Sequence, residues 1–168
     1  MDIVGFLWNT QNWPLGQAIG SSVWWVVLDA AHVLSQALVI GTIALVDLRL
    51  LGIGFRNASV TELSARILPW TWTGFAGAAF TGCLLFVIRS HMYMVNRAFW
   101  LKIVLMVLAG LNMAVFHVLT WRKVGEWDHG QPTPMGAKVA GFLSLAFWIA
   151  SIFYARYMWF PWAMNPPQ

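Results

Sequence analysis

The chain has 168 residues, of which 60% are hydrophobic and only 10% charged, with a mean hydropathy of +0.67. Soluble domains are roughly 45–50% apolar and about 25% charged, so a water-soluble fold is excluded as the default and lipid must cover part of the surface. The formal charge of +4 does not mark a nucleic-acid binder, because the ten Lys and Arg are dealt out among short loops and form no stripe. One cysteine, Cys83, excludes an internal disulfide framework and a cysteine-rich metal site.

In chain order, residues 1–22 read as an N-terminal interfacial segment, with Ile3, Phe6 and Leu7 on one side of a short helix that breaks near Pro14. Ser21 and Ser22 are placed to cap the first span. The first positive charge is Arg49, after the first long apolar run, which argues against a cleavable leader. Apolar runs of spanning length lie at 23–46, 68–90, 98–120 and 139–160, so 23–160 is predicted to be an all-α, four-helix integral membrane bundle with a tail at 161–168. Continuous runs such as Trp72 to Ile88 do not alternate, which excludes a barrel. Ser59 and Glu62 have capping-box spacing and predict a separate short helix up to Pro69, while Gly125 to Gly136 reads as a loop.

Tryptophans mark the span edges: Trp24, Trp25, Trp70, Trp72, Trp100, Trp121, Trp159 and Trp162. Arg49, Arg56, Arg66, Arg122, Lys123 and Lys138 fall on one face; Arg89, Arg97, Arg156 and Lys102 fall at the other. That bias predicts both termini outside the cytoplasm.

An ionisable group in hydrocarbon is costly, at least about 2.5–3.5 kcal/mol for a central charge, and so marks a candidate site. The candidates are Asp29 and His32 in the first span, His91 after the second, Lys102 and His117 in the third, and Arg156 in the fourth; His129 is in a loop. Two axial imidazoles of a haem must meet at one depth. His32 with His91 is the better pair on that test and His117 the reserve ligand, against a plainer reading in which each ring hydrogen-bonds a neighbouring helix. Gly74, Ala78 and Gly82 form a row of small residues that admits either a macrocycle or another helix. Lys102 and Arg156 are placed to hold haem propionates or lipid headgroups. Asp29, one turn before His32, shares its face and offers a carboxylate to an imidazole or a cation. His91-Met92-Tyr93-Met94 carries copper-binding chemistry only if that stretch is unwound, since Met92 and Met94 diverge on a helix. No HExxH, GxSxG or phosphate-binding glycine loop is present, and no catalytic residue is assigned.

The block Asp47-Leu48-Arg49-Leu50-Leu51-Gly52, with Trp72, Gly82 and Asn96-x-x-Phe99-x-x-Lys102, resembles a family of short four-helix bacterial inner-membrane proteins of unknown function, over roughly residues 20–120. The resemblance implies a bacterial inner-membrane location and the same fold. In span count and histidine placement the chain is also similar to b-type cytochrome subunits and to the copper-resistance D family. The leading expectation is a haem b subunit passing electrons between a redox partner and the quinone pool. The alternatives are a non-catalytic anchor or assembly subunit of a larger complex, and a copper-handling protein.

Overall fold

A computed structural model describes residues 3–55, 57–128 and 131–160. Arg56, His129, Trp162, the tail at 161–168 and the side chain of Ile3 lie outside the described residues. The described residues hold no strand and eight α-helices: α1 (Ile3–Trp8), α2 (Pro14–Gly20), α3 (Trp24–Leu51), α4 (Val60–Ile88), α5 (Ser90–Val95), α6 (Arg97–Leu119), α7 (Val124–Trp127) and α8 (Met135–Tyr157). Four regions, begun by α3, α4, α6 and α8, are long and apolar enough to cross a membrane, consistent with a multi-pass membrane protein.

These helices form an all-α four-helix bundle in which α4 packs on α3, α3 on α8 and α8 on α6, while α4 and α6 scarcely touch. The central position of α3 has a sequence cause on both sides. Towards α4, Gly74 brings its backbone to the Ser35 carbonyl, where an added Cβ would sit 3.1 Å from that oxygen. Towards α8, Gly141 does the same against Asp47 and Leu50, with 3.1 Å to the Asp47 carbonyl oxygen. In lipid, helix pairing depends on close contact and hydrogen bonds, so small residues at the seam favour it. Thr42 and Thr71 add a hydroxyl bond of 2.9 Å across the α3–α4 seam, and the Asn112 amide donates to the Ala140 carbonyl at 2.9 Å between α6 and α8.

The first two spans are longer than their apolar runs predict. Helix α3 continues to Leu51 and ends at Gly52, whose φ of 74° is the left-handed cap that glycine adopts without strain. Ser59 caps the next helix as expected, accepting from the Glu62 N–H at 3.1 Å, but no separate helix stops at Pro69. Pro69 is inside α4, where its missing N–H costs one rung and packing against α3 holds the rest. The cap expected from Ser21 and Ser22 is also different. Val23 is the α3 cap residue; Ser21 closes α2, and only Ser22 reaches the new helix, accepting from the Trp24 N–H at 3.3 Å. Part of the expected 125–136 loop is helical, since α7 runs to Trp127, which is buried.

One end of the bundle, the loop end, is clamped by two polar side chains. Arg49, only 6% exposed, donates from Nε to the Ala58 carbonyl at 2.7 Å and from a terminal nitrogen to Thr133 Oγ1 at 3.3 Å. Asp128 accepts from the Val60 and Thr61 N–H groups and from the Thr61 hydroxyl, so it satisfies donors at the start of α4. Both contacts tie the α3–α4 connection to the α6–α8 connection. Replacing Asp128 by Ala should therefore destabilise the bundle by about 1–3 kcal/mol, seen as a lower thermal midpoint in detergent. Asp128→Asn, which keeps acceptor oxygen, should lose less; an Ala variant as stable as the parent would overturn the clamp.

Candidate functional site

At the opposite, terminal end α2 packs against α4 and α1 against α5, and His32 lies in the half of α3 nearer that end. His32 is half-buried on α3 and faces α4. Its Nδ1 is 3.0 Å from Thr81 Oγ1, and its Nε2 is 2.9 Å from the Gln36 side-chain nitrogen. Thr81 in turn donates to the Gly77 carbonyl at 2.6 Å. These roles are consistent in one arrangement: Gln36 donates to Nε2, Nδ1–H donates to Thr81, and Thr81 donates to Gly77. The chain of bonds belongs to a neutral imidazole and latches α3 onto α4.

The row of small residues is filled by the same helix. A Cβ at Gly82 would stand 2.9 Å from His32 Cε1, and one at Gly77 would stand 2.8 Å from Ser35 Oγ. The space beside Gly74 and Gly82 is thus a seat for α3 backbone and the His32 ring. A side chain at position 82 would force the imidazole that lies against it to shift.

The other expected ligands are elsewhere. His91 is exposed on α5, nine residues past Gly82, or about 13 Å along a helical path. His117 is exposed near the far end of α6; its Nδ1–H donates to the Met113 carbonyl at 2.9 Å and its ring lies 5.5 Å from that of Trp121. A haem needs two donors at one point and a flat gap between them. Here both nitrogens of His32 are engaged within the bundle and the glycine seats are taken, so His32 as placed offers no free nitrogen to an iron. Copper fares no better. Helix α5 is wound through Ser90–Val95, so Met92 and Met94 diverge, and Met92 packs with Tyr93, Ala98 and Met158. No group of three or more His, Cys, Asp or Glu is arranged to hold a metal among the described residues.

The cations also have distinct places. Lys102 is half-buried on α6, within electrostatic range of His32, whereas Arg156 is exposed in the last turn of α8. Asp29 shares the electrostatic surroundings of His32 but has no direct ion-pair partner among the described residues. Sequence reasoning gave Arg89 only a boundary role. Its guanidinium lies 4.7 Å from the Trp25 ring centre and 5.7 Å from that of Trp159, which joins the starts and ends of three helices. The pairing of Trp25 and Trp159 as edge residues was the available signal, but their convergence on one cation depends on tertiary packing. Beside this cage, Asn96 caps α6 through the Ala98 and Phe99 N–H groups and donates to the Met158 carbonyl at 3.0 Å. The Asn96–Phe99 part of the resemblance is therefore a structural joint.

No family model, curated protein or solved structure matches the chain.

The contact at Gly82 is directly testable. Gly82→Ala should lower the thermal midpoint, and His32→Ala in the same chain should relieve part of that loss, giving a coupling of about 1 kcal/mol or more in a double-mutant cycle. Strictly additive effects would show that the ring does not rest on Gly82.

Proposed function

We propose that the chain is a non-catalytic membrane anchor or assembly subunit of a larger complex in a bacterial inner membrane, with both termini on the periplasmic side. The observation that carries this reading is on α8. Ala146 and Ala150, one turn apart, floor a furrow walled by Phe142, Ile149 and Phe153, each of these three 62% exposed. A furrow of small residues between large apolar walls accepts the ridge of another transmembrane helix. The interior supports the same reading, because His32, Thr71 and Asn112 use their polar groups to join helices. The orientation draws on the charge bias. Setting aside buried Arg49, half-buried Arg89, Lys102 and Lys138, and Arg56, which lies outside the described residues, leaves Arg66, Arg122 and Lys123 towards the loop end and Arg97 and Arg156 towards the terminal end, which keeps the sense of the bias.

A photo-crosslinking residue at position 146 should trap one discrete protein partner in native membranes. Ala146→Phe with Ala150→Phe should abolish that product and release the chain from its complex on native gels, without lowering its own thermal midpoint. Crosslinks to lipid alone, or an unaffected complex, would defeat the proposal.

A second reading retains haem b and electron transfer to the quinone pool, with the iron shared between subunits. His117 favours it: the bond from Nδ1–H to the Met113 carbonyl leaves Nε2 as the lone-pair nitrogen on an exposed ring. Purified complex from haem-replete cells should then show a Soret shift and an alpha band on dithionite reduction, lost in His117→Leu. A colourless complex would remove this reading and leave the anchor.

A further inference from the structure

Asp47 stands four residues before the end of α3 and is 5% exposed. Its Oδ2 is buried and has no hydrogen-bond partner, the only side-chain oxygen or nitrogen so placed among the described residues. The seam with α8 is closed at this level: a Cβ on Gly141 would stand 3.1 Å from the Asp47 carbonyl oxygen and 3.1 Å from Leu50 Cβ. Ser144, one turn further along α8, is the polar side chain beside the carboxyl. Burial and Ser144 are the influences on it; the charged groups that the surrounding elements bring to this end, Arg49 on α3, Glu62 and Arg66 on α4, Asp128 after α7 and Lys138 on α8, are not among them. Arg49, two residues on, is engaged with Ala58 and Thr133 instead.

An ionised carboxylate accepts through both oxygens, and burying one of them without a donor costs far more than burying an uncharged oxygen. Water, a metal cation or a proton would each relieve it. A buried water wants about 2–4 polar partners and a hard cation about six or more oxygens, whereas the side chain that α8 offers here is a single serine. A proton needs no room. We propose that the α3–α8 seam is a proton-binding site, in which Asp47 is held as the neutral carboxylic acid and its proton helps fasten α8 to α3. The acid presents an O–H donor where Ser144 can accept, and its other oxygen carries no charge. When the seam opens, the acid gives its proton to water and the carboxylate left behind is solvated; reclosure takes one proton back. The closed bundle therefore binds one more proton at this residue than the unfolded chain, in which Asp is ionised above about pH 4. The stability contributed here is fully present at low pH and declines as pH rises, by about tenfold in the folding equilibrium constant per pH unit while the folded protein keeps the proton.

The test is carbon-13 NMR of the full-length protein in lipid nanodiscs, labelled at the aspartate side-chain carboxyl. The aspartates are Asp2, Asp29, Asp47 and Asp128, and the Asp47 signal is the one lost in Asp47→Asn. At about pH 6, where an exposed Asp is ionised, the Asp47 carbon should have the shift of a carboxylic acid and should reach the carboxylate position only at higher pH. In reversible unfolding in mixed micelles, the folding equilibrium constant of the parent should fall relative to that of Asp47→Asn, which keeps the shape and has no proton to lose, by about tenfold per pH unit up to that conversion. If Asp47→Asn fails to fold, the signal is assigned by elimination from Asp2→Asn, Asp29→Asn and Asp128→Asn, and the shift at about pH 6 decides alone. An ionised Asp47 carbon at that pH in the folded protein, as a bound water or metal cation would leave it, overturns the proposal. So does a stability whose pH dependence is the same in the parent and in Asp47→Asn.

Discussion

The bundle depends on close approach at the two flanks of α3. Lipid surrounds the helices as readily as apolar side chains do, so helix association needs short-range contact and interhelical hydrogen bonds. Glycines at positions 74 and 82 admit α3 on one flank, and Gly141 admits it on the other. The His32 bond to Thr81 then fixes the register of α3 against α4, while Arg49 and Asp128 fix the connections at the loop end. With α4 and α6 hardly touching, the architecture is a row built outward from one helix.

That arrangement gives the two ends different characters. At the loop end, Arg49 and Asp128 engage backbone groups directly, and their charges are spent on connecting segments. At the terminal end, Arg89 is held by aromatic faces, and Tyr93, Phe86 and Phe99 pack near it, with ring centres 5.1–6.2 Å apart. At the terminal end the packing is aromatic, whereas the loop end is joined through charged side chains.

The number and placement of the spans were legible because a long apolar run has few alternatives in a membrane. Gly52 and Ser59 were equally readable, since a left-handed cap and a helix start each demand particular residue types. Pro69 misled because local propensity argues for a stop, while continuous packing against α3 keeps the helix intact. Arg49 looked like a topology charge because sequence does not show burial; its partners, Ala58 and Thr133, are 9 and 84 residues away. Missing side chains at Gly74 and Gly82 admit close approach, but the identity of the approaching group is not encoded in their spacing. The long helices are apolar nearly all round, so periodicity does not tell a lipid face from a packed one. This is why the histidines could be ranked by depth and still point to different neighbours.

The long separation of the loop-end partners has a consequence for biogenesis. The ribosome delivers Val60 with Asp128 still 68 residues from being made, a delay of roughly 3–14 s at about 5–20 residues per second. Through that interval the first helical hairpin must enter the bilayer with the start of α4 uncapped by Asp128 and Arg49 without Thr133. Asp128 and Thr133 both follow α6, so the two contacts can close only once the third span has been made, and the clasp is a late contact of the folding chain.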